Sequence, residues 1–339
     1  MPRPDTTPDL PDLRTAPYAE PWPSASRSTA PDRPATADRL VQWLRYSPAQ
    51  PILRARAARR LPVLAYRRVP DRWRFGAQLD RLCRTAVPIS LWALEQAVAE
   101  RRPLPPRSVL ITFDDADREV LEHALPALRT RGLPAVAFVV TELIGTDRLP
   151  WRQEAAFLTA HGGRARTLTA DGPEHQLAQL SALPDPDRRR SLHELRVSAH
   201  ARPPRRERLT PEDLRELAAG QVAVGSQSLG EPELGQCDDD TVRTEIVSAH
   251  RALTDWLGSA PTAFAHPGGG FDPRTVPVLR ELGYRTGFVT DQRLGRRLPE
   301  EELRVSRVPV DATGGPVHLE TVLSGLHAAV HRRRGGGRC

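Results

Sequence analysis

Two adjacent carboxylates, Asp114 and Asp115, follow directly on the apolar, β-branched run Ser108 to Phe113. Such a pair in an apolar setting is costly unless a cation or a reaction uses it. On an extended backbone the two side chains point in different directions, so one can hold a metal ion while its neighbour handles a proton. The competing assignment is an Asp that caps the next helix, with a solvated neighbour. Further along, His266 stands beside Pro267 and the run Gly268-Gly269-Gly270. It is a candidate general acid near neutral pH, a displaced metal ligand, or a hydrogen-bonded residue of the loop. The glycine run lacks the Lys-Ser/Thr ending of a phosphate loop, and reads as a tight turn bringing N–H groups near a substrate.

The elements that must position these residues alternate along the chain. Leu61 to Tyr66, Ser108 to Phe113, Ala135 to Val140, Val222 to Val224, Thr262 to Phe264 and Arg285 to Val289 are short apolar runs of strand type. Between them lie helical patterns. Phe75, Leu79 and Leu82 fall on one face, and Pro126 is expected to kink a helix running from about Asp117 to Gly132. Thr210-Pro211-Glu212-Asp213 is a helix start, with a capping Thr, Pro at the first position and acids facing the positive end of the dipole. This alternation implies a parallel sheet or barrel, whose chemistry collects where strands hand over to loops. Residues 151–208 break the pattern. Charged, helical and interrupted by prolines, they read as an insertion on the rim.

Composition narrows the function class. The 339 residues carry a net charge of +7 with a pI near 10.2. Every basic residue other than His is Arg, and the arginines are scattered beside Glu and Asp instead of gathered on one face, which argues against nucleic-acid binding. No apolar run approaches membrane-spanning length, and the first 35 residues contain no apolar segment of secretory type, so a cytoplasmic location is expected. Residues 1–35 are too poor in apolar groups to fold alone. A short helix is expected at 38–46 within a lead-in spanning 36–60, and residues 326–339 read as a basic tail. Cys83, Cys237 and Cys339 are too few and too widely spaced for a disulfide framework or zinc knuckle; Cys83 is expected to be a small core filler.

Thr112-Phe113-Asp114-Asp115, then Gly132-Leu133-Pro134-Ala135 and Phe138-Val139, resembles the first motif block of the NodB-type polysaccharide deacetylases. Pro62 to Val69 is similar to the first strand of one branch of that family. Val224-Gly225-Ser226, Phe264-Ala265-His266-Pro267-Gly268-Gly269, Gly283-Tyr284 and Arg307-Val308-Pro309-Val310 follow in the family's order. The resemblance covers roughly residues 61–325. It implies a distorted (β/α) barrel carrying the 151–208 insertion, and hydrolysis of the amide of an N-acyl sugar or related small molecule. It also implies Asp114 as general base and Asp115 as ligand of a divalent metal (Zn, Mn or Mg) that polarises the carbonyl and activates water.

Several site positions depart from the family's pattern. Where two metal-binding His are implied after Gly225-Ser226, the chain has Gln227 and Glu231. Ala116 replaces a Gly, Arg67 replaces a His, and His318 is the nearest counterpart of a late catalytic His. Three arrangements accommodate these residues. Asp115, Gln227 and Glu231 form an all-oxygen site suited to Mg²⁺ or Mn²⁺; Arg67 supplies the positive charge in the metal's place, with no metal bound; or the pocket is inactive, and a carbohydrate or a protein binds in the same cleft.

Overall fold

The structure, a computed structural model, describes residues 57–314 and 316–324 together with residue 55. The segments 1–35 and 326–339, the helix expected at 38–46 and most of the 36–60 lead-in lie outside the described residues.

Eight strands form the main path of the sheet, with the short strand Val87–Pro88 paired beside the start of the second: β1 (Val63–Tyr66), β2 (Ser108–Phe113), β3 (Ala135–Val139), β4 (Val222–Ser226), β5 (Ala263–Ala265), β6 (Thr286–Val289), β7 (Val305–Ser306) and β8 (Val308–Val310). They pair in the order β7-β6-β5-β4-β3-β2-β1-β8, all parallel. The two ends of that order are one stretch of chain. Val305 pairs with Phe288 of β6, and Val308 pairs with Leu64 of β1. Arg307, the residue between, donates its N–H to Val289 O at 2.8 Å. The sheet is therefore a nearly closed barrel, with residues 305–310 as its last stave.

The strands are buried on both faces, as parallel barrel strands must be, and their residues divide by alternation. Val109, Ile111 and Phe113 belong to one cluster with Leu79 of helix α1 (Arg72–Thr85). Leu110 instead clusters with Val63, Val136, Phe138, Phe288 and Val305. The Phe138 and Phe288 rings lie 5.4 Å apart within this second cluster, which is the barrel interior. Helix α2 (Leu91–Ala99) packs on it through Leu91, Leu94 and Ala97.

Three local outcomes differ from the sequence reading. The run from Leu61 splits at Pro62, which has no N–H for a ladder; Arg60–Leu61 pairs antiparallel with Gly295–Arg296 instead. The helix around Pro126 becomes a π-helical turn (Val120–Ala124) leading into α3 (Leu125–Arg129), so the proline stands at a helix start and not in its middle. Cys83 is exposed, one residue past the buried stripe of Phe75, Leu79 and Leu82 and so about 100° around the helix from it.

Between β3 and β4 stand α4 (Trp151–Ala160), α5 (Pro173–Ala182) and α6 (Asp185–Ser198). They have a small core of their own, built on Trp151, Leu158, Leu180, Leu192 and Leu195. Helices α7 (Pro211–Ala219), α8 (Asp239–Leu257), α9 (Thr275–Glu281) and α10 (Pro316–Leu323) complete the outer layer. Thr210 caps α7 through the reciprocal bonds that its sequence announces. No helix among the described residues is long and apolar enough to cross a membrane.

Candidate active site

Because all eight strands are parallel, the residues just after them gather at one mouth of the barrel. Arg67 follows β1, Asp114 and Asp115 follow β2, Gln227 follows β4, His266 follows β5 and Thr290 follows β6.

Asp114 keeps the inward phase of Leu110 and Thr112 and is 4% exposed. Arg307 keeps the inward phase of Val305, is 1% exposed, and donates from Nη1 to Asp114 Oδ1 at 2.5 Å. Its Nη2 donates to Thr290 Oγ1 at 3.1 Å, and its guanidinium carbon lies 5.2 Å from the centre of the Phe138 ring. Burial raises the Asp114 carboxyl above its ordinary value, while the charge and hydrogen bond of Arg307 oppose that rise. Arg307 engages Oδ1 and leaves Oδ2 for a second partner.

At Asp115 the backbone turns left-handed, with φ at +49°. Its Oδ2 lies 2.9 Å from Arg67 Nη2, and its Oδ1 accepts from Gln227 Nε2 at 2.8 Å. The Asp115 N–H donates to Gln227 Oε1 at 3.2 Å, so one amide side chain grips both backbone and carboxylate. Gln227 Nε2 also donates to Glu231 Oε1 at 3.3 Å. Glu231 is 5% exposed, and its Oε2 is buried with no hydrogen-bond partner. Burial and then the charge of Asp115 push the Glu231 carboxyl well above the usual carboxylate range, with Arg67 and Arg152 opposing. Burial alone would lower the Arg67 guanidinium, but the charges of Asp115, Glu231 and Asp114 raise it above its ordinary value.

The loop after β4 is strained and held. Ser228 and Glu231 have φ of +69° and +53°, rare for residues with a side chain. Ser228 Oγ accepts the Glu231 N–H at 3.0 Å, and Glu245 Oε2 accepts the Gly230 N–H at 2.7 Å. The insertion supplies the rest. Trp151 Nε1 donates to Glu231 O at 2.9 Å, Arg152 pairs with Glu233, and Arg189 donates to Glu245 Oε1 at 3.2 Å. The Trp151 ring lies 4.5 Å from the guanidinium carbons of both Arg152 and Arg188.

Of the residues the sequence singles out, Asp114, Asp115, Arg67, Gln227 and Glu231 are brought to one mouth. His266 is enclosed by protein. Its ring is 1% exposed, lies edge-on to Phe264 and Phe271 at 5.2 Å from each, and its Nε2 is 3.0 Å from Leu303 O. His318, on α10, accepts the Asp311 N–H at 3.4 Å. Cys237 is buried, and burial first of all pushes its thiol up to about 11, which suits no nucleophile. The sequence reading passed over Arg307. Its signal was present: an Arg in phase with Val305 in a barrel strand faces the interior and needs an anionic partner.

Asp115, Gln227 and Glu231 do not fit a divalent ion. Both Asp115 oxygens are engaged, the Gln227 amide directs its N–H group at two carboxylates, and a guanidinium sits where charge compensation is needed. Among the described residues no group of three His, Cys, Asp or Glu side chains is arranged to hold a metal.

The sequence profile of a family described as polysaccharide deacetylase matches residues 101–287, more than half of the chain. The chain belongs to the polysaccharide deacetylase family. Over 47 residues it is 40% identical to the poly-beta-1,6-N-acetyl-D-glucosamine N-deacetylase of Staphylococcus epidermidis, a match spanning 14% of this chain and 16% of that protein. IcaB from Ammonifex degensii superposes with a TM-score of 0.54 at 22% identity, covering 78% of this chain and 96% of its own. Streptococcus pyogenes deacetylase PplD, solved in complex with acetate, superposes with a TM-score of 0.54 at 17% identity, covering 78% and 98%. At these identities the two structures speak for the fold, and the fold is that of the family's (β/α) barrel.

Proposed function

We propose that this member of the polysaccharide deacetylase family hydrolyses the amide of an N-acylated amino sugar, with Asp114 as the base. The observation that carries this reading is the Asp114–Arg307 pair: a carboxylate at the barrel mouth, fixed through one oxygen by a buried cation, with no hydrogen bond to its other oxygen among the described residues. Water loses a proton to Asp114 as its oxygen bonds to the carbonyl carbon. The C–N bond then breaks, the proton passes from Asp114 to the leaving nitrogen, and a carboxylic acid and an amine result, which ionise to carboxylate and ammonium. The kinship with a poly-beta-1,6-N-acetyl-D-glucosamine N-deacetylase supports N-acetylglucosamine polymers as the first substrates to try. Three residues with side chains, Asp115, Ser228 and Glu231, hold left-handed backbone around this mouth. Each costs on the order of 1 kcal/mol, and such strain persists where surrounding structure enforces it, commonly at sites in use.

Acetate release from N-acetylglucosamine oligomers, followed with the wild type and with Asp114→Asn, tests the assignment. The substitution should lower turnover by about 100-fold or more. Equal turnover in the two proteins, or none in the wild type, removes the hydrolase reading. The Arg67–Asp115 pair favours a second one, in which the same cleft binds a carbohydrate without cleaving it. Oligomer binding by both proteins without acetate release would select it.

A further inference from the structure

We infer that Arg67 is the resident cation of this cleft and that its guanidinium occupies the place where a divalent metal would otherwise act. Asp115 gives one oxygen to Arg67 at 2.9 Å and the other to Gln227 at 2.8 Å. Gln227 meets Asp115 and Glu231 through its N–H group, which is a donor and repels a cation, and its carbonyl is taken by the Asp115 N–H. The only oxygen of this trio buried without a partner is Glu231 Oε2. One open oxygen is far short of the four to eight ligands that Zn²⁺, Mg²⁺ or Ca²⁺ require. Turning the Gln227 amide over would expose its carbonyl to two carboxylates and leave the Asp115 N–H facing an N–H group, so the hydrogen-bond network fixes the amide as described.

Arg67 has the properties the position demands. Its side chain is 26% exposed against 7% for Asp115, so it spans from the carboxylates toward the opening of the cleft. Its planar fork holds the Asp115 carboxylate with a fixed, permanently charged edge. It stays protonated at every working pH, whereas a metal would come and go with solvent conditions. It cannot generate hydroxide, so proton removal falls to Asp114, which its own cation, Arg307, holds separately. Two guanidinium groups of the cleft thus have divided duties, Arg307 holding Asp114 and Arg67 holding Asp115.

The test needs no substrate, so it is independent of whether the protein is a hydrolase. The full chain is dialysed against a chelator, then titrated with Zn²⁺ and Mn²⁺, with bound metal determined by elemental analysis and melting followed by thermal shift. No stoichiometric metal and no saturable rise in melting temperature are expected. One tightly held equivalent of either ion overturns the inference, whatever any variant does. In Arg67→Ala, methylguanidinium at millimolar concentration should restore the melting temperature toward the wild type, and Zn²⁺ should not. Rescue by a divalent ion and not by methylguanidinium would equally overturn it. If Arg67→Ala does not fold, the wild-type metal measurement decides alone.

Discussion

Asp114 and Asp115 are neighbours in the chain and equally buried, each paired with an arginine, yet the two arginines live in different settings. Asp114 and Arg307 are 6% and 1% exposed at their side chains, buried beneath the mouth of a closing barrel. Asp115 and Arg67 are 7% and 26% exposed, at its mouth. A buried pair is costly to form and more costly to break, because losing one partner strands the other charge away from water. A pair that reaches solvent contributes little to stability, because water and ions can take over from either partner. The inner pair therefore belongs to the architecture, and the outer pair is the one that reaches solvent.

The comparison can be broken at three points. Arg307→Met should destabilise the protein by about 3–5 kcal/mol in urea unfolding, since Asp114 is left buried and uncompensated. Adding Asp114→Asn should recover part of that loss. A cost below about 1 kcal/mol for Arg307→Met would show that water reaches Asp114 and that the two settings are alike.

His266 probes the buried side by pH. Burial foremost holds its imidazole down at about 4, the Arg307 and Arg304 charges act the same way, and the Leu303 carbonyl and Asp272 oppose. The unfolded chain protonates this His at about 6.5, so below that pH the unfolded state binds more protons than the folded one. Stability should then be full above about pH 6.5 and decline as pH falls toward 4, by up to about 3 kcal/mol. In His266→Gln the slope over this window should flatten; an unchanged slope would assign it to other groups.

The smallest effect is expected at the mouth. Arg67→Ala should cost less than Arg307→Met in the same urea assay, because the Arg67 end of its pair already reaches solvent. A loss as large as that of Arg307→Met would erase the distinction between the pairs.

Much of this layout was legible in the sequence. The run Ser108 to Phe113 was read as the strand that delivers Asp114 and Asp115, and the family resemblance placed Gln227 and Glu231 in the same site, where they meet. What was not legible depends on residues distant in the chain. Trp151 grips Glu231 O across 80 positions, and no local pattern announces such a contact. His266 is enclosed by protein because Phe271 and the Leu303 carbonyl form a niche for its ring, and that niche comes from two loops whose own conformations are irregular. Cys83 was misplaced by a single residue, which on a helix is enough to exchange core for solvent.

The last stave of the barrel has a consequence for the order in which the protein can be made. Asp114 and Arg307 are 193 positions apart, so the carboxylate leaves the ribosome long before the residue that compensates it. Until residues 305–310 arrive, β1 and β6 each present a bare edge to whatever strand is near. Closure of so long a loop is slow in entropy terms and brings both edges and the buried charge to rest in one event. A nascent chain halted short of Val305 would hold Asp114 at an open seam, prone to aggregation, and only a chain carrying residues 305–310 would shelter it.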